Sequence, residues 1–109
     1  MKTIKGLFLS ILLIFTASIS AAKVQTGIEV LRADGFKLLE GKRVGLTTNP
    51  TGVDSNLKST IDILWEAENV NLVALDGPEH GVRGNVHAGE VVDNEVDKKT
   101  GLKMYSLYG

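Results

Sequence analysis

Val70-Asn71-Leu72-Val73-Ala74-Leu75 is an almost unbroken apolar run that stops at Asp76-Gly77-Pro78. Its length suits a strand, and its continuity predicts one with both faces covered, as in the parallel sheets of α/β proteins. Just upstream, Ser59-Thr60-Ile61-Asp62 carries a helix-start pattern, and Leu57, Ile61, Leu64 and Trp65 can share one helical face. A helix ending near Asn69 is expected there. Farther back, Arg43-Val44-Gly45-Leu46-Thr47-Thr48 is short, β-prone and apolar at its centre, and it runs into the turn Asn49-Pro50-Thr51-Gly52. Strand, helix and strand make one βαβ unit, with a right-handed crossover and parallel strands. The fold class is therefore α/β.

Two further segments flank this unit. Thr26-Gly27-Ile28-Glu29 matches a capping box, and Ile28, Leu31, Leu38 and Leu39 recur at helical spacing, so a helix over about 27–39 is expected. Gly35 weakens that helix by about 1 kcal/mol relative to alanine, and Gly41 is placed to end it. After the apolar strand, residues 85–101 include the polar run from Asp93 to Thr100 and predict an excursion before a strand at 103–107. With only two or three strands, apolar faces and a sheet edge should stay uncovered.

Parallel strands place their following loops at one edge. Thr48-Asn49-Pro50-Thr51-Gly52 and Gly77-Pro78-Glu79-His80-Gly81-Val82-Arg83-Gly84 should face each other across the carboxyl ends of neighbouring strands, where open α/β sheets hold ligands. The second loop sets a carboxylate, an imidazole and a guanidinium within five residues. A carboxylate beside a buried strand can be desolvated, which raises its pKa and suits Glu79 to donate a proton; pairing with Arg83 or capping the loop is its structural alternative. His80 could orient Glu79, bind a hydroxyl, relay a proton or simply complete a turn. Arg83 offers a planar fork for a substrate carboxylate, or forms a loop salt bridge.

Other chemistries fit less well. Glu79, His80, His87 and Glu90 offer two imidazoles and two carboxylates within twelve residues, yet no His-x-x-x-His or zincin spacing is present, so no metal is expected. No cofactor is expected either: Gly81, Gly84 and Gly89 form no Gly-x-Gly-x-x-Gly, and no Gly-Lys-Ser/Thr or Gly-x-Ser-x-Gly element occurs.

The first 22 residues read as a secretory signal, with Lys2 and Lys5 before an apolar core from Leu7 to Phe15 and a small-residue site at Ser20-Ala21-Ala22. The apolar stretch is too short for a stable span, so an exported, periplasmic or secreted product without a membrane anchor is expected. Residues 23–109 then carry ten Lys and Arg against thirteen Asp and Glu, a net charge of −3 that argues against nucleic acid as a partner. With no cysteine there is neither a disulfide framework nor a thiolate nucleophile. Met104-Tyr105-Ser106-Leu107-Tyr108-Gly109 looks like a strand entering a turn, which predicts that this is the beginning of a larger protein.

The blocks from Thr26 to Leu31, Gly41 to Leu46, Thr48 to Val53, Ser59 to Asp62 and Gly77 to Gly81 come in one order, closed by Thr100-Gly101-Leu102 and Tyr105-Ser106-Leu107-Tyr108-Gly109. In that order the chain resembles the NamZ-like exo-β-N-acetylmuramidases over residues 24–109. The resemblance implies a Rossmann-like parallel sheet with flanking helices, of which this chain holds the N-terminal part, a βαβ unit with its preceding helix. It implies a glycoside hydrolase that removes N-acetylmuramic acid from the non-reducing end of peptidoglycan fragments, so that muropeptides or N-acetylmuramic acid disaccharides are the partners. Glu79 becomes the catalytic carboxylate, with His80 its companion and Asn49, Arg83 and His87 the substrate contacts. A non-catalytic module that binds wall fragments or sugars is the alternative.

Overall fold

The computed structural model describes residues 22–78, 80–85, 87 and 95–107. The segment read as a signal peptide lies almost wholly outside them, as do Glu79 and Glu90. Helix α1 spans Gly27–Ala33, a 3-10 turn covers Lys37–Leu39, and strand β1 runs over Arg43–Thr47. Helix α2 (Thr60–Glu66) leads into strand β2 (Asn71–Gly77), and the short strand β3 (Glu95–Val96) precedes β4 (Lys103–Ser106).

The sheet order is β1-β2-β4-β3. β2 is parallel to both β1 and β4, so the βαβ unit forms as its sequence predicts and the α/β class holds. β3 is antiparallel to β4, pairing Glu95 with Met104 and Val96 with Lys103. A two-residue strand inside a polar run has no periodicity, which is why residues 93–100 read as an excursion.

Residues that cap and turn decide the helix limits. Glu29 reaches back to accept hydrogen bonds from the Thr26 backbone N–H (2.7 Å) and hydroxyl (2.9 Å), fixing the start of α1. The helix expected over 27–39 instead stops at Ala33, because Gly35 and Phe36 take left-handed φ values of 69° and 56° before the 3-10 turn. That break swings Phe36 into the core. Ser59 caps α2 by accepting from the Ile61 N–H at 3.2 Å, and the helix ends at Glu66 rather than near Asn69.

Ile61, Ile63 and Leu64 of α2 pack with Leu72 and Leu75 of β2, Phe36 and Val82. Ile28, Leu31, Val44, Leu46, Leu102 and Met104 surround them. Two residues expected on the buried helix face lie elsewhere: Leu57 precedes the helix with φ 62° and is 80% exposed, and Trp65 is 44% exposed. Exposure alternates along β1 and β4, so Val44, Leu46, Met104 and Ser106 turn inward while Gly45, Thr47, Lys103 and Tyr105 turn out. In the central strand β2 every residue from Leu72 to Gly77 is buried or half-buried, in keeping with the apolar run, whereas β1 and β4 each leave one face exposed. No helix of the described residues is long and apolar enough to cross a membrane.

Candidate active site

The site grows from the carboxyl ends of β1 and β2. Thr47 pairs with Asp76, and the Thr48 N–H continues the ladder by donating to the Asp76 carbonyl at 2.9 Å, so the two following loops leave the sheet side by side. Thr47, Thr48, Asn49 and Pro78 line an open depression of about 300 Å³ between them. The position is the one expected of a ligand crevice in an open parallel sheet.

The first loop is set by its own side chains. Asn49 Oδ1 accepts from the Thr51 N–H (3.0 Å) and the Thr51 hydroxyl (2.7 Å), an Asx turn that commits the amide oxygen. What Asn49 offers to a ligand is its Nδ2 donor pair. Gly52 closes the turn where a β-carbon would stand 2.3 Å from Thr48 Oγ1. Its carbonyl accepts from the Thr60 N–H at 2.8 Å, joining the loop to the start of α2.

The second loop folds back on the strand it leaves. Val82 is buried, and a β-carbon on Gly77 would meet Val82 Cγ1 at 3.2 Å and the Val82 nitrogen at 3.3 Å. Between these two points His80 and Gly81 both hold left-handed backbone, at φ 60° and 70°. Glycine adopts that region readily; among other residues histidine is one of the more tolerant. Gly84, at φ 76°, then lies against the Pro50 ring, so the two loops touch. His80 and His87 are exposed.

Arg83 is held by two carboxylates distant in sequence. Its Nε and Nη2 bond both oxygens of Asp97, at 2.6 and 3.0 Å, and Nη2 also bonds Asp62 Oδ1 at 3.0 Å. Lys99 Nζ binds the other Asp62 oxygen at 2.6 Å. Asp97 Oδ2 further accepts from the Thr100 N–H (3.0 Å) and hydroxyl (2.7 Å). The two alternatives left open for Arg83 in the sequence thus meet a structure in which its fork is occupied by carboxylates of the same chain. The Arg83 hydrogen bonds, helped by those of Thr100, outweigh burial and bring the Asp97 carboxyl down to about 2. Burial pushes the Asp62 carboxyl up, but the bonds from Lys99 and Arg83 are stronger together and its pKa falls. In return, bonding to Asp97 and Asp62 raises the pKa of the guanidinium.

Asp62, Asp97, Lys99 and Thr100 were not singled out as partners of the loop from sequence. Asp62 sits at a helix start and reads as a capping residue, whereas it points instead to Arg83 and Lys99. A signal for Asp97 does exist in Asp97-Lys98-Lys99-Thr100-Gly101: the carboxylate caps the turn, and Gly101 takes φ 74°. Of the four residues weighed as metal ligands, His80 and His87 are described and Glu79 and Glu90 are not. Among the described residues no three His, Cys, Asp or Glu side chains gather as a metal site would require.

A parallel βαβ sheet with two apposed loops at its strand ends defines an α/β domain with its crevice at the carboxyl edge. Comparison places it more narrowly. Residues 44–109 match the family described as exo-β-N-acetylmuramidase NamZ, N-terminal region, and the chain belongs to this family. It is 58% identical over 87 residues to the peptidoglycan β-N-acetylmuramidase NamZ of Bacillus subtilis strain 168, a match covering 80% of this chain and 21% of that protein. Its structure resembles the crystal structure of a DUF1343 family protein from Bacteroides fragilis with a TM-score of 0.69 and 69% identity, covering 78% of this chain and 20% of the other. The chain therefore spans about a fifth of the length of these relatives.

Proposed function

We propose that this chain supplies one wall of the active site of an exo-β-N-acetylmuramidase, which releases N-acetylmuramic acid from the non-reducing end of peptidoglycan fragments during wall turnover. The observation that carries the reading is the contact of the 48–52 and 77–84 loops at the carboxyl ends of adjacent parallel strands, in a chain 58% identical to a named peptidoglycan muramidase. A sugar is recognised largely through hydroxyl and amide groups. In the depression Thr47, Thr48 and Asn49 bring such groups and Pro78 adds an apolar surface.

In this reading Glu79 protonates the leaving glycosidic oxygen, and His80, its neighbour in sequence, supports that proton transfer. Asn49 donates from Nδ2 to the bound sugar, and His87 contacts it from the segment that follows the loop. Glycoside hydrolysis commonly needs a second carboxyl group opposite the acid; the approach of that group from outside residues 23–109 is part of the proposal. Arg83 acts from the rim of the same wall, its charge balanced by Asp62 and Asp97. Export to the periplasm or beyond, which the leader-like segment at residues 1–22 supports, would bring the protein to its wall-derived substrate.

The test is release of N-acetylmuramic acid from a chromogenic muramide by the longest natural open reading frame that contains this sequence. Activity is expected, and Glu79→Gln should abolish it while muropeptide binding is retained. Binding without product in the parent protein would favour a non-catalytic wall-fragment module instead.

A further inference from the structure

The loop after β2 is built like a closed ring with a fastening. Its base is the contact of Gly77 with Val82, and the next residue, Arg83, is tied to two distant segments, α2 through Asp62 and the β3–β4 turn through Asp97. Asp97 is the centre of that fastening. Its side chain is only 3% exposed, both oxygens are engaged by Arg83, and one also accepts two bonds from Thr100. A buried carboxylate with all of its bonds directed at one arginine and one turn holds those groups in a single geometry.

We infer that Asp97 is a positioning residue for the reaction: by fixing Arg83 it holds residues 80–84, which directly follow the proposed acid Glu79 in sequence, in one shape, and proton transfer depends on that shape. This rests on the muramidase reading for its catalytic consequence, while the mechanical part stands on the geometry alone. Holding a reacting group in register acts on the chemical step more than on ground-state binding, because a misplaced acid still lets the substrate bind. Left-handed backbone at His80 is a modest further cost that a held loop offsets; Gly81 adopts the same region freely.

The experiment uses Asp97→Asn in the same full open reading frame, read by amide hydrogen exchange and by steady-state kinetics. Exchange over residues 77–87 should quicken by about tenfold while the peptides of β1, β2 and α2 keep their rates. With the chromogenic muramide, kcat should fall about tenfold or more and KM should stay within about twofold. Arg83→Lys keeps the charge and loses the two-point grip, so it should loosen the same peptides even if Asp97→Asn does not fold. Lys58→Met, which removes the surface pair of Lys58 with Glu66 on α2, should change neither readout. Unaltered loop exchange in both variants, or loosening spread evenly over α2 and the sheet, would overturn the inference. So would a change confined to KM. Absence of sugar release in the parent protein would refute the muramidase reading, and the exchange data would still decide the fastening.

Discussion

Gly84 lies so close to Pro50 that a β-carbon added to it would stand 2.9 Å from Pro50 Cγ. Two loops separated in sequence by a helix and a strand, α2 and β2, meet at that point, and their contact depends on the missing side chain. The conformation adds a second requirement, since Gly84 holds φ 76°.

Gly84→Ala should therefore destabilise the protein by about 1–2 kcal/mol from the left-handed backbone alone, with a further cost from the ring contact. Urea unfolding measures the sum. Pro50→Ala removes the ring, so the penalty of Gly84→Ala should be smaller in that background, and additive penalties would show that the contact carries no weight.

Acid should weaken the fold in a defined window. Asp97 titrates at about 2 against an ordinary value of 3.8, chiefly because Arg83 bonds its charged form. Glu29 falls from 4.5 to about 2, led by the Ser55 hydroxyl bond and then by Thr26. A depressed carboxyl stabilises the folded state above its unfolded pKa and loses that contribution as pH falls through the folded one. Melting temperature should thus drop between roughly pH 4.5 and pH 2, and Asp97→Asn should flatten the drop from a lower starting point. An unchanged slope in that variant would mean that Arg83 does not hold the Asp97 charge.

The start of α2 offers a cleaner local test. Ser59→Ala removes the oxygen that caps the Ile61 N–H and should cost about 1 kcal/mol, while Ser59→Asp should retain most of the stability. Circular dichroism during chemical unfolding would resolve the difference.

Leu57 makes the opposite prediction. It is exposed and holds φ 62°, so its side chain contributes little burial while its backbone sits in a region that favours glycine. Leu57→Gly should raise stability by about 0.5 kcal/mol, the relief of left-handed strain exceeding the added freedom of the unfolded chain. Leu75→Ala is the contrasting case: Leu75 is fully buried beneath α2, and its truncation should cost about 2–5 kcal/mol.

These residues also mark how far sequence reasoning reaches. The parallel pair β1–β2 was legible because each part has a local signature: an apolar run, a capping serine, and Gly/Pro punctuation at the strand ends. The apposition of the two loops followed from that topology. The break of α1 was harder, because Gly35 and Phe36 act together and only the burial of Phe36 shows why the chain turns there. Leu57 and Trp65 have helical spacing but no buried face to occupy. For Arg83 the chemistry was legible and the partner was not, since a guanidinium suits a substrate or an internal carboxylate equally well until Asp97 is brought beside it.

The spacing of that cluster has a consequence for the order of folding. Arg83 reaches Asp97 across 14 residues and Asp62 across 21, and Lys99 reaches Asp62 across 37. The bonds to Asp97 and from Lys99 cannot form until the 97–100 turn has been brought beside Arg83 and α2, because the chain must first close the intervening loops, whereas the Arg83–Asp62 bond needs only α2 and the loop after β2. A ribosome that has made the loop after β2 has already made Asp62 but not yet Asp97, the two-point half of the fastening. The edge of the crevice thus takes one of its two ties from chain made before it and the other from chain made after it.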